Sequence, residues 1–180
     1  MMRLPVTPSQ TVGPFLAIAL RWDDGPYVVA PGTEGAFWLR GRVVDGSGEA
    51  VPDALVETWQ ADPDGRFAGL DAAATCRGFG RSETVDGAFA ILTVKPGQVP
   101  GADGRLQAPH VAVSVFARGL LHRVVTRLYF GDDEEVHASD PVLASLDAAA
   151  RATLVAQPSS DGYSVDIVLQ GSDETVFFAV

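Results

Sequence analysis

The stretch APHVAVSVFARGLLHRVVTRLYF, residues 108–130, decides the fold. Val111, Val113 and Val115 recur with period two. On a β-strand they share one face, while His110 and Ala112 take the other. Arg118-Gly119 suits a tight hairpin turn. On the return strand, Leu121 to Phe130, Val124, Leu128 and Phe130 fall on one face, and Arg123, Arg127 and Tyr129 on the other. An isolated hairpin is marginal in water, so the valine face predicts further strands to cover it.

Those strands are legible on both sides. Phe37 to Val44 is rich in aromatic and β-branched residues and ends at the turn Asp45-Gly46-Ser47-Gly48. Ala54 to Gln60 alternates, Asp86-Gly87 turns into Ala88 to Val94, and Lys95-Pro96-Gly97 ends that strand. Tyr163 to Leu169 alternates, and Thr175 to Val180 reads as a final strand. One helix is expected: Ser139 or Asp140 caps it, Pro141 suits its first turn, and Val142, Leu143 and Leu146 recur at helical spacing. It runs to about Ala150, and the alanine-rich segment carries it toward Val155. Residues 1–36 read as an N-terminal arm and loop. The expectation is one domain over residues 1–180, mainly β: an antiparallel β-sandwich with that arm and one short helix.

Composition bounds the function. The chain has 180 residues, 47% of them hydrophobic and 20% charged, which allows a sizeable core and excludes a disordered polymer. A net charge of -10 argues against nucleic acid or anionic membrane as partner and reads as solubility. Cys76 is the sole cysteine, so an intrachain disulfide and a thiolate cluster are excluded. No apolar run reaches the roughly 20 residues of a membrane helix, and Met1 to Gln10 lacks a signal-peptide core, so a cytoplasmic protein is expected. Asp62, Asp64, Asp71 and Asp86 lack calcium-loop spacing, and Ser9, Ser47 and His122 form no nucleophile signature.

Three segments occur in a telling order: Ser9 to Phe15; Gly41 through Glu57-Thr58-Trp59-Gln60-Ala61-Asp62 to Gly65-Arg66-Phe67; and Asp86-Gly87 through Lys95-Pro96-Gly97 to Ala108-Pro109-His110-Val111. Together they resemble the intradiol ring-cleavage dioxygenase family. Phe116 to Leu120, Thr126 to Phe130 and Asp140 to Leu143 look like the α-type subunits of its heteromeric members. The resemblance implies Fe(III) chemistry, with the ion held by two tyrosinates and two histidines. The matching positions are Phe67, a place at or near Val99, His110 and Ala112, and an arginine of the family falls at about Gln107. Tyr27, Tyr129 and Tyr163 lie outside the ligand segments. Three of four ligands are therefore missing, and His110 is expected as a hydrogen-bonded relic in a cleft.

The resemblance further implies that this chain holds no metal and no catalytic residue. A partner β subunit carries Fe(III), and the active site lies at the interface. There 3,4-dihydroxybenzoate and O2 give 3-carboxy-cis,cis-muconate. Gly13, Pro14 and Phe15 are expected to line the partner's pocket, and Arg127 to meet the substrate's charge, with Arg123 on the same face. The alternative is a stand-alone transthyretin-like β-sandwich binding module without enzymatic activity, which Gly41 to Asp45, Val51 to Ala54 and Asp86 to Phe89 also resemble. It leaves Ser9 to Phe15 and Thr126 to Phe130 unexplained.

Overall fold

The computed structural model describes residues 6–13 and 15–179. Its strands are β1 (Phe37–Val44), β2 (Leu55–Trp59), β3 (Phe79–Glu83), β4 (Ala88–Thr93), β5 (Val99–Pro100), β6 (Leu106–Gln107), β7 (His110–Phe116), β8 (Val124–Phe130), β9 (Val155–Ser159), β10 (Gly162–Ser164) and β11 (Ile167–Val168). Helices are short: α1 (Leu16–Ala19), α2 (Glu134–His137), a 3-10 turn (Leu143–Ser145) and α3 (Ala148–Ala152).

The valine face is the heart of the core. Val111, Val113 and Val115 are at most 1% exposed and pack with Leu39, Val56, Phe89, Leu128 and Phe130. Each such side chain contributes about 1.5–3 kcal/mol by leaving water. The strands form one hydrogen-bonded path, β4-β1-β10-β9-β8-β7-β2-β3, with β11 continuing along β1 beyond β10. The path nearly closes. β3 and β4 are joined through a turn bridged at Val85 and Ala88, then separate. Gly25 and Pro26 fill the gap, accepting hydrogen bonds from the backbone N–H of Arg81 and Leu92.

The expected antiparallel pairing holds for most neighbours but not all. β8–β9, β1–β10 and β1–β11 run parallel. Residues 131–154 loop out and return so that β9 starts level with Tyr129 and runs alongside the end of β8, a parallel placement that a tight hairpin cannot give. The expected strand Tyr163 to Leu169 breaks between β10 and β11. Gly41 has no side chain there, so the Val165 carbonyl packs against its backbone. Of the expected strand Thr175 to Val180, Thr175 to Ala179 forms no ladder, and Val180 falls outside the described residues. The segment's N–H groups go to Val168, Thr153 and Val125, which lie in different elements.

The single helix over 140–150 is also corrected. Asp140 Oδ1 accepts from the N–H groups of Val142 and Leu143 at 2.9 Å each, starting the turn. Leu146 is extended, and Asp147 restarts the helix by accepting from Ala150 N at 2.8 Å. Aspartate competes for backbone N–H groups in this way and favours caps over helix interiors. Val155 belongs to β9 instead.

The turn segments cover the second face of β8. Tyr129, read as sharing a polar face with Arg127, is fully buried with Leu143 and Leu154. β8 itself begins at Val124, so Leu121 to Arg123 belong to the preceding loop. In the arm, Thr11 Oγ1 accepts from Gly119 N at 2.7 Å, while Phe15 and Ile18 are 73% and 68% exposed.

Candidate functional site

Asp62 builds the loop that carries Phe67. Its Oδ1 accepts from the N–H groups of Asp64 and Arg66, and its Oδ2 from the N–H and hydroxyl of Thr75, all at 2.9–3.1 Å. Burial pushes the Asp62 carboxyl up, but those donors outweigh it and hold it below the ordinary carboxylate range. Gly97 donates its N–H to Asp62 O at 2.8 Å and lies against the Pro63 carbonyl, an approach that leaves no room for a side chain. The loop after β2 and the Lys95-Pro96-Gly97 turn are thereby locked together.

The result is a small cavity of about 60 Å³ lined by Trp59, Gln60, Phe67, Val99, His110 and Ala112, with Ala61 and Gly97. Three segments far apart in sequence, carrying positions 67, 99, and 110 with 112, meet in it. Trp59 and Ala112 are register partners on β2 and β7, and Trp59 stacks on Phe67 at 6.0 Å with 15° between planes.

His110 Nδ1 lies 2.8 Å from Ala108 O. A carbonyl only accepts, so Nδ1 carries the proton and Nε2 keeps its lone pair. Burial lowers the pKa of the imidazole. The Ala108 carbonyl and Asp140 oppose that shift, and Arg127 reinforces it. His110 is thus held neutral by its surroundings.

Phe67, Val99 and Ala112 have no donor atom, so the cavity does not fit the ferric ion of an iron-dependent fold family. Among the described residues no group of three or more His, Cys, Asp or Glu could hold a metal. The larger groove, about 570 Å³ over the β3–β4 seam, is unrelated to this cavity. Its arginines, Arg21, Arg40 and Arg81, are already ion-paired with Glu83, Asp161 and Glu57.

Arg127 stands beside the cavity, in register with Ala112. Its guanidinium donates to Gln107 Oε1 at 3.2 Å and makes no ion pair among the described residues. It also lies by the Tyr129 phenol, whose pKa burial pushes up to about 12. Arg123 is exposed in the loop before β8 and lines a different, shallow cleft with Gln10, Val12 and Phe116. Gly13 and Phe15 are exposed and lie outside the cavity, and Pro14 falls outside the described residues. The hydrogen bond from Arg127 to Gln107 has no signal in the sequence, because β5 and β6 have only two residues each.

The dioxygenase family model matches residues 23–171. The chain is 41% identical to the protocatechuate 3,4-dioxygenase alpha chain of Burkholderia cepacia, covering 100% of both chains. It is 39% identical to that of Pseudomonas putida, covering 97% of this chain and 96% of the other. The beta chain of the Burkholderia cepacia enzyme is 36% identical over 76% of this chain and 65% of its own length. Among solved structures, catechol 1,2-dioxygenase from Pseudomonas arvilla C-1 superposes with a TM-score of 0.63 at 20% identity. That match covers 81% of this chain and 55% of that one, and it speaks for the fold. With a family match over most of its length and full-length relatives at this identity, the chain belongs to the intradiol dioxygenase family.

Proposed function

We propose that this chain is the iron-free α subunit of a heteromeric protocatechuate 3,4-dioxygenase. It acts as one cytoplasmic domain over residues 1–180, its nearly closed sheet working as a β-sandwich. An iron-bearing β subunit supplies Fe(III), and the α subunit completes that subunit's pocket. The reaction is cleavage of 3,4-dihydroxybenzoate by O2, between its hydroxyl-bearing carbons, to 3-carboxy-cis,cis-muconate. The observation that carries the reading is the convergence of Phe67, Val99, Ala112 and His110 in one cavity with a single donor-bearing side chain among those four. Full-length similarity to two alpha chains supports it. A stand-alone transthyretin-like module would not account for the match at both ends of the chain.

Two features suit a subunit that completes another's site. Arg127 is a half-buried cation without a carboxylate partner among the described residues, which fits the carboxylate of the substrate. The segment of Gly13 and Phe15 is presented outward, available to a neighbouring subunit. The test is co-expression with the β subunit, followed by purification of both the complex and the isolated α chain. The complex should contain iron, show the visible tyrosinate-to-iron charge-transfer band and cleave 3,4-dihydroxybenzoate. The α chain alone should have neither band nor stoichiometric iron. One iron per isolated chain, with that band, would overturn the assignment.

A further inference from the structure

We propose that Gln107 is a positioning residue for Arg127: its neutral amide holds the guanidinium in place for a carboxylate without neutralising it. The inference rests on the substrate role proposed for Arg127. Arg127 donates to Gln107 Oε1 at 3.2 Å. A guanidinium has donors only, so it is the amide oxygen that must face it. Gln107 is itself fixed. It pairs with Val99 across the β5–β6 hairpin, whose tip is closed by Gly101 N donating to Arg105 O at 2.8 Å. Its amide packs on the bare backbone of Gly101, where a Cβ would stand 2.9 Å from Gln107 Nε2.

Two titratable groups near Arg127, the His110 imidazole and the Tyr129 phenol, offer it no negative charge near neutrality. The Tyr129 phenol has its pKa pushed up to about 12 by burial and stays protonated near neutrality. The carboxylate of Asp140 accepts from that phenol at 3.3 Å and makes no ion pair with Arg127. The guanidinium is therefore oriented by a neutral amide and makes no ion pair among the described residues, so its charge is left for an incoming anion. A carboxylate at position 107 would compete for that charge. An alanine would free the arginine to sample rotamers that must be frozen at each binding event.

The experiment uses the assembled αβ enzyme, with KM and kcat measured for 3,4-dihydroxybenzoate. Gln107→Ala should raise KM about 3–10-fold while kcat stays within about twofold, since a positioning contact is lost and the chemistry is not. Gln107→Glu should raise KM about tenfold or more, because a carboxylate beside the guanidinium stays ionised near neutral pH and competes with the substrate for it. In an Arg127→Ala background neither change should matter further, the signature of a coupled pair. The charge-transfer band of the β subunit should be unaltered throughout. If Arg127→Ala raises KM and both Gln107 variants leave it at the parental value, the positioning role fails and the reading of Arg127 stands. If Arg127→Ala also has no effect, both fall. Equal Gln107→Glu effects with and without Arg127 would assign them to general disturbance and overturn the proposal.

Discussion

Removing the Asp140 carboxylate should loosen the second face of β8 and the cavity beside it. Asp140 is fully buried. Its Oδ2 accepts from Ala108 N at 2.8 Å, its Oδ1 from Val142 N and Leu143 N at 2.9 Å, and the Tyr129 hydroxyl lies 3.3 Å away. Ala108 and Leu143 are 1% and 0% exposed, so water cannot replace the carboxylate there, whereas Val142 is partly open to solvent. Asp140→Ala thus orphans two buried N–H groups at about 1–3 kcal/mol each, or about 2–6 kcal/mol together. Asp140→Asn keeps an acceptor for the turn but opposes an NH2 group to Ala108 N, so one orphan remains and the loss is about 1–3 kcal/mol. The assay is amide hydrogen exchange on the αβ complex, read at residues 108 and 143, where about 1.4 kcal/mol corresponds to tenfold faster exchange. At residue 143 the alanine variant should exchange about five- to 150-fold faster than the asparagine variant, and at residue 108 both should exchange faster than the parent. Parental exchange at both amides in Asp140→Ala would refute the reasoning, since something else would then be satisfying them.

Deleting residues 1–15 should raise KM for 3,4-dihydroxybenzoate in the complex with iron content near normal; unchanged KM and kcat would remove the arm from the site. Expressed alone, the chain should self-associate or aggregate, because Phe15 and Ile18 leave large apolar side chains in water. A monodisperse monomer by sedimentation, with one cooperative melt, would count against an obligate complex. His110 has a folded pKa below its ordinary value, so the unfolded chain binds its proton first. Its contribution to stability is complete above about pH 6.5 and is lost as pH falls through the lowered folded value. Relative to His110→Gln, the parent should lose stability on acidification below about pH 6.5; parallel denaturation curves for the two would exclude a neutral buried imidazole.

What the sequence disclosed was local. Period-two alternation located β7 and its core face, because adjacent residues of a strand carry that information themselves. Tyr129 shares a face with Arg127, as its strand position indicates, but is fully buried. Its burial depends on a cover made by residues 134–154, which no pattern within β8 can announce. The helix over 140–150 failed for the opposite reason. Its apolar spacing was correct for Leu143, but Asp147 offered a local cap that broke the run. The tail at Thr175 to Phe178 looks like a strand by composition, yet its backbone bonds are divided among separate elements.

The cavity itself obeys a simple electrostatic rule. A phenol or imidazole kept at position 67, 99 or 112 without a metal would be a polar group in a confined space, costing about 1–3 kcal/mol unless some other partner were found. Phenylalanine, valine and alanine avoid that penalty, and Phe67 adds stacking on Trp59. His110 is the exception because Ala108 O satisfies its Nδ1, and Ala108 N is in turn held by Asp140. The one polar member of the constellation is thus the one with a backbone acceptor within 2.8 Å. By the same rule Arg127, at the rim rather than inside, keeps its charge because solvent and a neutral amide suffice to hold it. Phe67, Val99 and Ala112 leave this cavity without metal donors, and Arg127 at its rim has no carboxylate partner among the described residues, an arrangement in keeping with the division of labour proposed above.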